Sequence, residues 1–265
     1  MTDPELPPPL PAPVVEEPRG AWGFWPTMLL GLLALVAMIA AQAFVAAVFA
    51  VVVVVRTRGA GGKHLSTDEL QHTLLGDPLT LSISVLVSLP VLLAVLWLAI
   101  KKRKGPRFSQ YLALRKFCPR QFLLWASVLA GVLFGGDRLL QWAGDASGEI
   151  FMHDLMDSGK FLGPLAAAVT LAAPLGEELL FRGFMFRGIA DSRAGWIAAI
   201  LIPNVFWVVL HVQYSWPTMA VIFAMGIVLG MARRFSGSVA LPIALHFLWN
   251  GFATLSVFFD GGPKT

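Results

Sequence analysis

The chain alternates between long apolar segments and short polar connections. Seven segments are almost entirely apolar, and they cover residues 24–55, 79–100, 122–142, 161–189, 196–212, 218–232 and 239–259. A helix needs about 20 apolar residues to cross the hydrocarbon core of a bilayer. The pattern therefore predicts an all-α fold, a polytopic membrane helical bundle of about seven transmembrane helices, with roughly six to eight as the range. The first and fourth segments exceed a straight crossing, so we expect tilt or, in the fourth, a kink at Pro174.

Composition supports a membrane protein and limits its partners. The 265 residues are 57% hydrophobic and 14% charged, whereas soluble domains carry about 25% charged residues. Residues 1–23 differ, because they are rich in proline and acidic residues and lack the basic start of a signal peptide. We predict a disordered tail at 1–23 and a membrane domain at 24–265. No nucleic-acid-binding motif accompanies the net charge of +4, so membrane lipids are the expected partner. The oligomeric state is left open.

Basic residues are concentrated in the connection between the second and third apolar segments. Residues 101–120 contain eight Lys or Arg side chains and no acidic one, whereas residues 143–160 contain four acidic side chains and one Lys. Cytoplasmic loops of membrane proteins carry the excess of Lys and Arg. This distribution predicts that 101–120 is cytoplasmic and that the N-terminus is cytoplasmic too. The orientation of the first span stays open, because the connection 56–78 is also basic.

Three charged residues lie close together in the fourth apolar segment, Glu177, Glu178 and Arg182. An ionised side chain at the centre of a bilayer costs about 2.5–3.5 kcal/mol on insertion scales, and such residues usually line functional sites. Glu178 and Arg182 are four residues apart, so they share a helix face and can form an ion pair. Glu177 is turned about 100° away and is left free for chemistry. A buried cluster that only joins helices is the alternative interpretation.

The later segments add two histidines. His211 lies on one helix face with Asn204 and Trp207, and His246 is aligned with Asn250 in the last segment. Each histidine alone could be an interhelical hydrogen-bonding residue. Carboxylates, imidazoles and a carboxamide in three of the last four segments together indicate a site that activates water for hydrolysis.

These residues resemble the motifs of a known family. Glu-Glu-x-x-x-Arg at 177–182, aromatic-x-x-x-His at 207–211 and His-x-x-x-Asn at 246–250 are similar to the three motifs of the CPBP family of intramembrane proteases, also called the ABI family. That family comprises type II CAAX prenyl endopeptidases and bacteriocin-processing or immunity-related proteins. The resemblance covers about residues 160–260. Trp207 stands where the family usually has Phe.

The resemblance implies an integral membrane endopeptidase that hydrolyses a peptide bond of a membrane-anchored peptide or protein, with its site open toward the cytoplasm. In one mechanism Glu177 and His211 activate water, and His246 and Asn250 stabilise the oxyanion. Glu178, Arg182 and Trp207 then support the site. In the competing metalloprotease mechanism, Glu177, His211 and His246 bind a divalent metal such as zinc. The HExxH spacing of soluble zinc proteases is absent, so no local signature decides between the two mechanisms. We slightly favour water activation without an obligatory metal.

Two other functions are weighed against the protease. A non-catalytic membrane scaffold or bacteriocin-immunity protein of the same fold would need the helices and not the chemistry. A proton-coupled transporter would use intramembrane Glu and His, with Asp137, Arg138 and Gln141 of the third segment as further candidates. Straight helices would also place His211 deeper than Glu177, so we expect the stretch 213–217 to be sunk into the bundle. The substrate and its prenylation are not determined by the sequence.

Overall fold

The structure, a computed structural model, describes residues 20–59, 66, 77–103, 105–157 and 162–260. The predicted tail lies outside the described residues apart from its last four. Within the described ranges the regular structure is entirely helical. The described residues form nine helices in chain order: α1 (Phe24–Gly59), α2 (Pro78–Lys102), α3 (Phe108–Tyr111), α4 (Pro119–Ala143), α5 (Ser147–Asp157), α6 (Leu162–Ala190), α7 (Gly195–Val209), α8 (Trp216–Ser236) and α9 (Ala240–Asp260). The predicted all-α helical bundle is confirmed.

Six of the described helices, α1, α2, α4, α6, α8 and α9, are long and apolar enough to cross a membrane. The fifth predicted span, 196–212, corresponds to α7, which is apolar but has only 15 residues and ends at Val209. The sixth span was predicted too short, because α8 extends over 21 residues. Local sequence signals explain where α8 starts and stops. Ser215 caps the amide of Thr218 at 3.3 Å, and Gly237 ends the helix at a φ of 65°, a conformation that favours glycine.

Helix α6 contains two π-helical segments, Ala168–Ala172 and Leu179–Met185. The first lies directly before Pro174, where the sequence predicts a kink. Proline has no amide hydrogen and its ring crowds the preceding turn, so a wider turn there accommodates it. The second segment contains Arg182 and is buried throughout, as are all residues from 178 to 189. The second half of α6 is therefore the centre of the bundle, with α1, α2, α7, α8 and α9 around it.

The basic connection between α2 and α4 enters the protein instead of lying on its surface. Tyr111, Leu112 and Ala113 are fully buried. Arg187 of α6 donates hydrogen bonds to the carbonyls of Gln110 at 2.7 Å and Tyr111 at 3.1 Å. Burial raises the pKa of Tyr111 to about 12. This segment packs under α6 and closes the basic end of the bundle.

Candidate functional site

The two adjacent glutamates have different partners. Glu178 is fully buried, and its Oε1 accepts a hydrogen bond from Nη1 of Arg182 at 3.0 Å. This is the ion pair that the spacing of four residues predicts. Its other oxygen, Oε2, is buried with no hydrogen-bond partner among the described residues. Glu177 is only partly buried and points to a different helix.

Arg182 joins three helices at the centre of the bundle. Besides Glu178, its Nη2 donates to the backbone carbonyl of Gly226 in α8 at 3.2 Å and to Oδ1 of Asn204 in α7 at 3.4 Å. Its guanidinium also lies over the ring of Trp207, 4.4 Å from the centroid. A Cβ on Gly226 would overlap the Asn204 side chain and approach the guanidinium. Gly226 therefore serves packing within the chain, because only glycine lets α8 approach this arginine.

Trp207 connects the carboxylate of Glu177 to both histidines. Its indole Nε1 donates a 2.6 Å hydrogen bond to Oε2 of Glu177. Its ring meets His211 edge-on at a centroid distance of 5.1 Å and His246 at 5.6 Å. The side chain is 1% exposed. Helices α6 and α9 and the turn after α7 thus bring Glu177, His246 and His211 around one indole ring.

His211 has one ring nitrogen engaged and one available. Its Nδ1 lies 2.9 Å from the backbone carbonyl of Trp207, one turn earlier. A carbonyl only accepts hydrogen bonds, so Nδ1 carries the hydrogen in this arrangement. In the neutral ring, Nε2 then has the lone pair that could take a proton from water. Tyr214 stacks on the ring at a centroid distance of 6.2 Å.

His246 contacts Glu178 rather than Glu177. Its Nδ1 lies 2.9 Å from Oε1 of Glu178, the same oxygen that accepts from Arg182. Because a carboxylate accepts, Nδ1 of His246 carries a hydrogen, and the pair fixes the ring orientation. Glu178 therefore positions both Arg182 and His246, a link between the first and third motifs that residue spacing alone does not reveal.

Asn250 binds a backbone carbonyl, and Pro174 explains why that carbonyl needs a partner. Nδ2 of Asn250 donates to the carbonyl oxygen of Val169 at 2.9 Å. In the π-helical segment the amide of Ala173 bonds to the carbonyl of Ala168, five residues back. The next donor in that pattern would be residue 174, which is proline and has no N–H. Asn250 supplies the missing hydrogen bond and keeps a second amide hydrogen for other contacts.

Residues beyond the three motifs complete the site. Burial raises the pKa of Tyr214, and the charge of Glu177 adds to this shift, so the phenol lies near the carboxylate. The chain contains two Tyr against nineteen Phe, and this rarity is the sequence signal that could have identified Tyr214. The predicted burial of 213–217 is wrong for Gln213, Trp216 and Pro217, which are exposed. Trp207, one turn before His211, makes the contact with α6 instead.

A polar cluster holds the turn that carries His211 and Tyr214. The carboxylate of Asp145, after α4, accepts hydrogen bonds from the hydroxyls of Ser215 and Thr218, and its other oxygen accepts from the amide of Ser147 at 3.0 Å. The Ser215 hydroxyl and the Ser147 amide are the main causes that lower the pKa of Asp145 to about 2. The α4–α5 connection is thereby joined to the start of α8, next to the turn.

The described side chains do not form the predicted metal site. Among the described residues, no three His, Cys, Asp or Glu side chains come close enough together to hold one metal ion. Trp207 occupies one oxygen of Glu177, and Glu178 occupies Nδ1 of His246. Oε1 of Glu177 and Nε2 of each histidine make no hydrogen bond among the described residues, but the three side chains do not lie close enough together to form one ligand set.

Part of the chain is similar to a known family. Residues 160–252 match the family described as "Type II CAAX prenyl endopeptidase Rce1-like". The chain is 33% identical over 127 residues to the "Uncharacterized 24.3 kDa protein" of Escherichia coli, covering 46% of this chain and 58% of that protein. It is 29% identical over 92 residues to the "Membrane-embedded CAAX protease MroQ" of Staphylococcus aureus (strain USA300), covering 33% of this chain and 36% of that protein. No solved structure matches the chain significantly.

The family resemblance predicted from the three motifs is confirmed for residues 160–252, which contain all seven motif residues. The matched stretches span less than two thirds of either curated relative. Together with the six long apolar helices, the match identifies an integral membrane protein.

Proposed function

We propose that the protein is an intramembrane endopeptidase that hydrolyses a peptide bond of a membrane-anchored peptide or protein. One observation carries this proposal: Trp207 joins a partly buried carboxylate, Glu177, to two imidazoles, inside the region that matches a family of endopeptidases. A carboxylate and a histidine with a free Nε2 are suited to general base catalysis. The name of the Staphylococcus aureus relative supports the same activity class.

The proposed reaction uses two pairs of residues. Glu177 and Nε2 of His211 take a proton from water, and the resulting hydroxide forms a bond to the scissile carbonyl carbon. The carbonyl π electrons move to oxygen, and this oxyanion accepts hydrogen bonds from Nε2–H of protonated His246 and the second amide hydrogen of Asn250. Collapse breaks the C–N bond, and the proton held at Glu177 or His211 passes to the leaving amine. A positioned base contributes about 10²–10⁴-fold and an oxyanion donor about 10²–10³-fold in rate.

Cleavage assays in liposomes test the activity with two fluorescent probes, a farnesylated CAAX peptide and an unprenylated transmembrane peptide. We expect the wild type to cleave at least one, and Glu177→Gln and His246→Ala to lose at least about 100-fold in kcat/KM. Glu149→Gln, an exposed carboxylate in α5, is the matched control and should retain full activity. Equal rates in the wild type and Glu177→Gln would contradict the proposed mechanism.

We propose further that water activation does not require a metal, since no three His, Cys, Asp or Glu side chains among the described residues come close enough together to hold one. Metal analysis of purified protein, together with activity before and after chelation, tests this. Stoichiometric zinc that is lost together with activity, and restores activity when returned, would establish the metalloprotease mechanism instead.

A non-catalytic scaffold is the second candidate function. The hydrogen bonds of Asn250 to Val169 and of Arg182 to Gly226 hold helices together without any chemistry. The liposome assay separates the two functions. A folded wild type that cleaves neither probe, with no difference from Glu177→Gln, would favour the scaffold.

We also propose on which side of the membrane the basic connection and the N-terminus lie. The eight basic residues at 101–120 support a cytoplasmic location for that connection and for the N-terminus. That the site opens toward the cytoplasm stays a prediction. The distribution of buried residues favours an opening at the end of the bundle away from the basic connection. Residues 178–189 and 111–113 are buried on the basic side of Glu177, whereas His211, Tyr214 and Asn250 are partly exposed. Labelling single cysteines at Gln213 and Lys116 with a membrane-impermeant maleimide from each side tests both. Labelling of both positions from one side would support the cytoplasmic opening.

A further inference from the structure

We propose that Trp207 is a positioning residue whose indole N–H holds the Glu177 carboxylate in the orientation that its role as the base requires. This inference rests on the proposed function and extends it to the second motif, where this chain has Trp in place of the usual Phe. A phenyl ring could provide the packing of the indole, but it has no group that donates to a carboxylate. The distance of 2.6 Å between Nε1 and Oε2 is that of a strong, charge-assisted hydrogen bond.

The indole cannot easily move away from the carboxylate. Trp207 is 1% exposed, with the guanidinium of Arg182 over its face at 4.4 Å and the rings of His211 and His246 at its edges. Its ring is therefore fixed by three side chains, which come from α6, from α9 and from the turn after α7. Fixing one oxygen of Glu177 leaves the other, Oε1, without a hydrogen bond among the described residues and free to bind water.

Several charged and titratable side chains surround Glu177, but the hydrogen bond to its carboxylate comes from Trp207. On its own helix lie Glu178 and Arg182, and Arg182 interacts with Glu177 electrostatically. Helix α7 and the following turn contribute His211 and Tyr214, and α9 contributes His246. Residues 78–100 of α2, packed on the opposite side, contain no charged or titratable side chain. Arg182 is already paired with Glu178, so Trp207 is the donor that acts on Glu177 directly.

The change Trp207→Phe removes the N–H and retains an aromatic ring. Losing a hydrogen bond to a charged group should move the low-pH limb of the kcat/KM–pH profile upward by about one to two pH units. A residue that served packing alone would lower activity at every pH and leave the limb in place. Trp249→Phe is the matched control, since Trp249 is a partly buried tryptophan on α9 that contacts Phe252, and its profile should equal that of the wild type.

Nuclear magnetic resonance tests the hydrogen bond without any substrate. With ¹⁵N-indole-labelled tryptophan in detergent micelles, one of the nine indole resonances should be shifted far downfield and be missing in Trp207→Phe. It should move upfield in Glu177→Gln and on acidification, whereas Trp249→Phe should not affect it. An indole resonance of Trp207 that ignores both Glu177→Gln and pH would overturn the proposal, even if the protein is a protease. A downfield resonance in a protein that cleaves no probe would support the hydrogen bond and contradict the proposed function instead.

If Trp207→Phe fails to fold in detergent, the pH titration of the wild-type resonance decides the proposal. Titration with a midpoint that moves in Arg182→Lys supports Trp207 as a donor to an ionised Glu177. A resonance that lies at an ordinary indole position and does not titrate between pH 4 and 9 contradicts it, because an ionised Glu177 would hold the resonance downfield over this range.

Discussion

Arg182 offers the sharpest test of how the bundle is held together. In Arg182→Ala, the buried Glu178 carboxylate loses its ion-pair partner, and the carbonyl of Gly226 and the amide oxygen of Asn204 lose a donor. Breaking a buried ion pair by removing one partner costs about 3–5 kcal/mol. For a chain of this size each kcal/mol lowers the melting temperature by about 2–4 °C, so we expect a decrease of about 6–20 °C.

Thermal unfolding in detergent, followed by circular dichroism, measures this decrease. Arg182→Lys should lose less, because lysine keeps the charge but cannot reach all three acceptors in a planar fork. Replacing both partners, as Glu178→Leu with Arg182→Met, should be more stable than Arg182→Met alone, since no unpaired carboxylate is left buried. The exposed Arg234→Ala is the matched control. A loss in Arg182→Ala no greater than that in Arg234→Ala would refute the reasoning.

Three further predictions concern single contacts. Gly226→Ala should be destabilised by about 1–3 kcal/mol through overpacking, whereas Gly131→Ala, where a Cβ meets nothing within 4 Å, should be neutral or slightly stabilised; equal effects would contradict the close approach of α8. Because the pKa of Asp145 is lowered from 3.8 to about 2, its contribution to the stability of the fold should be complete above pH 3.8 and lost as pH falls through about 2. Asp145→Asn should lack this pH dependence in thermal unfolding. Arg233→Ala removes a buried donor to the Arg182 carbonyl at 3.0 Å and should lower the melting temperature more than Arg234→Ala. The reverse order would contradict a stabilising role for this hydrogen bond.

Much of the site follows from helix geometry alone. The pairing of Glu178 with Arg182, the separation of Glu177 from that pair, and the shared face of Asn204, Trp207 and His211 depend on intervals of one to four residues. Such intervals are fixed once a segment is helical, and the apolar pattern identifies the helices. The sequence therefore determined the fold class, the membrane-embedded charges and the sets of side chains that lie together on each helix.

Contacts between helices depended on the tertiary structure. Nothing in the residue spacing distinguishes which glutamate His246 meets, places the indole N–H of Trp207 on Glu177, or sends the basic connection at Tyr111 into the core. Asn250 binds the carbonyl of Val169, which has no backbone donor because a π-helical turn and Pro174 occur together. The physical reason is that the rotation and axial offset of one helix against another are set by packing over the whole interface, and local periodicity carries no information about them.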